Sequence, residues 1–155
     1  MFALNLDCSL GATGDWHTSG MNWSKLKLHD TKDSIFGDWG IERSGESKVH
    51  VPGKEGHSYN IANHIRACLD LLEEGKFSCV EGMYRDFLDE DDQYNEAIFT
   101  RVLLPAKRKP DMWDDLHCFM CREYGMKWFN YAKQKDVPCG KLTIKSRRCR
   151  KYRNI

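Results

Sequence analysis

The sequence has no apolar run approaching the ~20 residues that a membrane helix needs. It has no basic leader either. MFALNLDCSLGATGD holds no Lys or Arg and reaches an acid at Asp7, so no signal peptide is expected. The Gly-Lys-Ser/Thr end of a phosphate-binding loop is missing after SLGATG. The acidic run Asp89–Asp92 lacks the calcium-loop pattern and its closing Glu. No alternation of strands and helices of the βαβ kind occurs, which excludes a doubly wound parallel sheet. Acids are absent from one stretch as well. Val137 to Ile155 carries seven Lys and Arg and no Asp or Glu, which leaves −6 on the rest of a chain whose total is +1.

What is present describes a globular protein. Of 155 residues, 41% are hydrophobic, 30% charged and 12% aromatic, enough to bury a real core in one domain spanning 1–155. Seven cysteines, an odd number without a secretory leader, imply free thiols in a reducing, cytoplasmic setting.

The expected fold class is α+β. Phe2, Leu4 and Leu6 alternate with Ala3, Asn5 and Asp7, which predicts a strand over 2–7. Gly11, Gly14 and Gly20 then make a loop. KLKLH (25–29), IFGDWGIER (35–43, bent at Gly37 and Gly40) and KVHV (48–51) complete a small N-terminal antiparallel sheet over about residues 2–51. Four helices follow over about 58–133. The first is capped by Ser58, patterned by Ile61, Ile65, Cys68, Leu69 and Leu72, and closed by Gly75. Ser78 and Glu81 form a capping box before Val80, Met83, Tyr84, Phe87 and Leu88. The third helix carries Tyr94, Ile98, Phe99, Val102 and Leu103 and ends at Pro105. Asp111 caps the longest, 112–133, whose aromatic content (Trp113, Phe119, Tyr124, Trp128, Phe129, Tyr131) exceeds one stripe. KLTIK (141–145) offers an edge strand, and 146–155 a flexible basic tail.

The chemistry concentrates in LNLDCSLGATGDWHTSGMNW, Leu4 to Trp23. Asp7, Asp15 and His17 are of the types that hold a divalent metal or move a proton in phosphoester or nucleotide hydrolysis, with SLGATG near the phosphate. His50, His57 and His64 are candidate co-ligands. The plainer reading is a structural loop in which Asp15 and Thr18 cap turns and Trp16 packs inward. Tryptophans in glycine-rich loops also mark binding surfaces, here Trp16, Trp23 and Trp39 with Thr18. Cys118 and Cys121 form a CxxC that Cys139 and Cys149 could complete as a zinc site. The pair lies inside a patterned helix with no second CxxC, so core thiols are the better reading and no cofactor is expected. Lys145, Arg147, Arg148, Arg150, Lys151 and Arg153, with Tyr152, could contact phosphates or fold back on the acidic stretch 86–96.

The small cysteine- and tryptophan-rich make-up looks like that of proteins carried by phages and bacterial mobile elements. The leading expectation is an interaction protein that binds a protein or a protein–nucleic acid complex as an inhibitor or regulator. The alternatives are the metal-dependent hydrolase and a nucleic-acid binder working through the tail.

Overall fold

A computed structural model describes residues 2–10, 22–25, 30–31, 34–43, 59–88 and 90–135. It is mixed α and β, mostly helical, with a two-stranded antiparallel sheet toward the N-terminus followed by helices. The chain divides into two compact units, Met1–Asp92 and Gln93–Ile155.

In the first unit, β1 (Ile41–Arg43) pairs with β2 (Asn60–Ala62), with Ile41 opposite Ala62 and Arg43 opposite Asn60. The strand expected over 2–7 is instead a 3-10 helix, Phe2–Asn5, closed by Leu6 N–H donating to Ala3 O at 3.3 Å. With no neighbouring strand among the described residues to take its backbone groups, the segment satisfies them locally. It still buries Leu4 and Leu6, the residues that made it look like a strand. Of the segment 35–43, only the last three residues are strand. Successive turns from Ser34 to Ile41 take up the rest, with Gly37 and Gly40 at φ 52° and 73°. KLKLH lies outside the described residues apart from Lys25, which ends a 3-10 turn, and KVHV lies wholly outside them.

Helix α1 (His64–Glu73) starts six residues after the expected cap, because Ile61 is taken by strand pairing opposite Glu42. Asn63 caps it. Its Oδ1 accepts from Arg66 N–H at 2.9 Å, while its own N–H donates to Gly40 O at 2.8 Å. Gly75 closes α1 as expected. At φ 75° it donates to Leu72 O, and Lys76 donates to Leu71 O, which makes a Schellman motif. The second expected helix forms only a 3-10 turn, Phe77–Cys79, and one π-turn, Met83–Phe87, separated by Gly82 at φ 83°. The Tyr84 hydroxyl lies 2.8 Å from Asp92 Oδ1 and 3.0 Å from Glu90 O, tying residues 90–92 into a turn with Glu90 at φ 57°.

In the second unit, α2 (Asn95–Arg108) runs past Pro105, whose buried ring sits in the last turn. The expected helix 112–133 is two helices, α3 (Trp113–Tyr124) and α4 (Met126–Gln134), broken at Gly125. Gly125 adopts φ 56°, ψ −132°, closed to residues with a Cβ. The break lets Trp128 and Ala132 of α4 bury in one core with Ile98, Phe99, Val102, Leu116, Phe119 and Met120. An added Cβ at Gly125 would meet no atom within 4 Å. Gly125→Ala should therefore act through backbone strain alone. It should cost about 1–3 kcal/mol, read as a lower urea midpoint with unchanged slope.

Candidate functional site

Asp15, Trp16, His17 and Thr18 lie outside the described residues, as do Cys139, Cys149 and the tail residues Lys145, Arg147, Arg148, Arg150, Lys151 and Arg153. Trp23 is described by its backbone, the start of a 3-10 turn. His50 and His57 lie outside the described residues too, whereas Asp7, His64 and Trp39 in the first unit and Cys118 and Cys121 in the second are described in full.

Asp7 is exposed just after the Phe2–Asn5 turn. Burial pushes the neighbouring Cys8 thiol above its ordinary value, against hydrogen bonds with the His64 and Leu10 backbone, so Cys8 is not set up as a thiolate nucleophile. Ser9 donates through both N–H and Oγ to the Glu42 carboxylate. His64 is not available as a co-ligand. Its ring is fully buried, with Nε2 2.7 Å from Leu6 O and Nδ1 3.3 Å from Phe87 O. It holds the N-terminal segment and the π-turn to α1.

Trp39 sits half-buried on the turn Gly37–Gly40, mounted by a residue that the apolar pattern of α1 did not reveal. Arg66, 1% exposed, donates through Nη1 to Gly37 O and Trp39 O, both at 2.6 Å, and through Nε to Asp70 Oδ1 at 2.9 Å. Its guanidinium lies 5.5 Å from the Phe36 ring centre. Burial lifts the Asp70 carboxyl above its ordinary value, and Arg66 opposes that lift. The planar fork is what lets one side chain serve three acceptors. The traces of it in the sequence are a lone cation between Ile65 and Ala67 and a pair of glycines upstream, and neither separates a buried guanidinium from a surface one. Gly40 is required there because a Cβ would come within 2.7 Å of Arg66 Cβ.

In the second unit, the CxxC helix carries a different constellation. Trp128 Nε1–H can only donate, so His117 Nδ1, 3.1 Å away, must be an acceptor. The remaining proton is on Nε2, which faces Cys121 Sγ at 3.7 Å. A histidine held in this tautomer cannot take a proton from Cys121 through Nε2, so the pair is not a nucleophile and base. Cys8, Cys68, Cys79 and Cys121 are not disulfide-bonded, but Cys118 is, which departs from the expectation that all cysteines are reduced. A cystine sulfur is also not a zinc thiolate. Among the described residues, no group of three or more His, Cys, Asp or Glu could hold a metal ion.

Burial lowers the His117 pKa below its ordinary 6.5, with Asp114 pulling the other way. The unfolded chain therefore binds this proton more readily. The stability tied to His117 is complete above pH 6.5 and declines as pH falls toward the folded value. His117→Asn, which keeps an acceptor near Nδ1, should flatten that decline. Thermal melts of both chains at stepped pH should converge on acidification.

The two units differ sharply in charge. Up to Asp92 there are nine Lys and Arg against seventeen Asp and Glu, a net −8; from Gln93 there are fifteen against six, a net +9. Lys107, Arg108, Arg122, Lys127 and Lys133 are exposed on the helices of the basic unit, and Lys135 just past the end of α4. No described helix is long and apolar enough to cross a membrane. No family model matches the sequence, and neither a curated protein nor a solved structure matches it.

Proposed function

We propose that the chain is an interaction protein that docks on a protein–nucleic acid complex. The observation that carries this reading is the partition of charge between the two units, net −8 and net +9, inside a chain that is almost neutral. A nucleic acid offers phosphates to the basic unit, and its bound protein offers cationic side chains to the acidic one. Each contact steers and orients the other. The turn bearing Trp39 is the protein-facing surface, and we assign Trp16, Thr18 and Trp23 to the same role from the sequence alone. Lys145, Arg147, Arg148, Arg150, Lys151 and Arg153 add to the phosphate-facing one.

The test is fluorescence anisotropy of labelled single-stranded and duplex nucleic acids with the full chain over a salt series. Affinity should fall steeply and log-linearly with salt, and should drop when residues 145–155 are removed. Absence of binding, or binding indifferent to salt, overturns the reading. The hydrolase alternative predicts something else: turnover of a nucleotide or phosphoester that disappears in Asp15→Asn and His17→Ala chains that still fold.

A further inference from the structure

We infer that α4 is the element that reads the nucleic acid, and that the nucleic acid is duplex DNA entered through its major groove. The inference rests on the interaction reading above and names the ligand of its basic half.

Helix α4 has two faces. Trp128 and Ala132 are fully buried, Phe129 and Tyr131 are half-buried, and Met126, Lys127, Asn130, Lys133 and Gln134 are exposed. Successive residues turn by about 100°. Met126, Asn130, Lys133 and Gln134 therefore fall on one strip, at i, i+4, i+7 and i+8, opposite Trp128 and Ala132. The buried face fixes the helix. Trp128 N–H donates to His117 Nδ1 at 3.1 Å, its ring meets Phe99 edge-on, and the Tyr131 hydroxyl lies 2.8 Å from Thr100 Oγ1. The exposed strip is thus carried on a rigid mount, which a recognition surface needs.

The composition of that strip is the second observation. The run between Glu123 and Asp136 holds no acid, although the unit has six, and it carries Lys127, Lys133 and Lys135. A surface turned only to water mixes both signs, as α3 does with Asp114 and Arg122 both exposed. Two amides alternate with the lysines. Asn130 and Gln134 each donate and accept at once, which matches the N6 and N7 edge of adenine in the major groove, and Lys133 suits guanine or a phosphate. Met126, 65% exposed, offers an apolar end to a thymine methyl.

Size and shape select the form of nucleic acid. The major groove of B-DNA is about 12 Å wide and admits a helix with its side chains. The same groove of an RNA duplex is too deep and narrow to be read. Single strands are held by stacking on exposed aromatic rings, and on α4 the tryptophan faces the core. The nine residues of α4 span about 13 Å, or roughly four base pairs.

The experiment first lets the full chain enrich duplex DNA from a pool with a randomised centre. Fluorescence anisotropy then compares the enriched duplex with the same sequence as a single strand and as an RNA duplex. Duplex DNA should bind most tightly, and the enriched sites should share adenines. Asn130→Ala and Gln134→Ala should each weaken binding to the enriched duplex roughly tenfold and relax the preference at one base position. Neither substitution changes the charge, so the loss is not one of steering, and exposed changes of this kind leave the fold intact. Lys133→Ala should weaken every duplex alike and lower the slope of log affinity against log salt by about one. Failure to enrich any sequence, tighter binding of the single strand or the RNA duplex, or unchanged affinity in both amide variants overturns the inference. The salt series separates the two failures. If binding stays steep in salt, survives the α4 changes and drops on removal of residues 145–155, only the assignment to α4 falls. If no nucleic acid binds at all, the broader reading falls with it.

Discussion

Replacing Arg66 with Leu should destabilise the first unit by about 3 kcal/mol, the scale for removing one partner of a buried pair. The change strips the hydrogen-bond donor from Gly37 O and Trp39 O and leaves Asp70 without its cation. The Asp70 side chain is 41% exposed and can rehydrate, so most of the loss should come from the two carbonyls. A double substitution checks this. Arg66→Leu combined with Asp70→Asn should be almost as unstable as Arg66→Leu alone. If neutralising Asp70 restored stability, the ion pair would account for most of the loss instead. Arg66→Lys should fall between wild type and Leu, since an ammonium cannot present a planar fork to three acceptors. Urea melts give the size of the effect. Hydrogen exchange at Trp39, Gly40 and Ile41 gives its location, and these amides should lose protection first.

This residue also shows where sequence reasoning reaches and where it stops. The periodic signal of Ile65, Cys68, Leu69 and Leu72 located α1, and Gly75 located its end, because both depend on local spacing alone. The start was misplaced, since Asn63 and Ser58 are equal as caps and the pairing of Ile61 with Glu42 decided between them. That pairing joins segments far apart in sequence and leaves no local trace. Phe2, Leu4 and Leu6 show the converse error. Alternation marked Leu4 and Leu6, which bury, but Phe2 is only half-buried and the out-of-phase Asn5 buries too, and with no partner strand among the described residues the segment is a 3-10 turn. The break at Gly125 was hidden because the apolar pattern continues through it.

The candidate site was legible to a similar degree. Trp39 between glycines was visible, whereas its mount was not, because a lone arginine on an apolar helix reads as a surface residue. His64 was visible as a histidine but not as a strut between Leu6 O and Phe87 O. The opposition of charge was in the sequence from the start. It bears on partners because the boundary at Asp92 and Gln93 gives each sign its own unit.

Replacing Trp128 with Ala should have the largest effect in the second unit, about 4 kcal/mol, as for other fully buried large-to-small changes. Trp128 is 0% exposed and joins the aromatic cluster on two sides. Its ring meets Phe99 edge-on at 5.4 Å between centres and lies nearly parallel to Tyr131 at 6.3 Å. The polar half of its role is separable. Trp128→Phe keeps most of the bulk but removes the N–H that His117 Nδ1 accepts. It should cost about 1–2 kcal/mol. It should also change the response to pH, in a direction fixed by the hydrogen bond. The Trp128 N–H stabilises the unprotonated Nδ1, so its loss lets His117 take up a proton more readily in the folded state. The folded value then moves back toward 6.5, and less stability is lost on acidification. Trp128→Phe should therefore be the weaker protein at neutral pH and the less acid-sensitive one. Thermal melts against pH should show the gap to wild type narrowing below pH 6.5. If the two chains instead lose stability in parallel, the Trp128 hydrogen bond does not set the His117 proton, and desolvation alone holds it down.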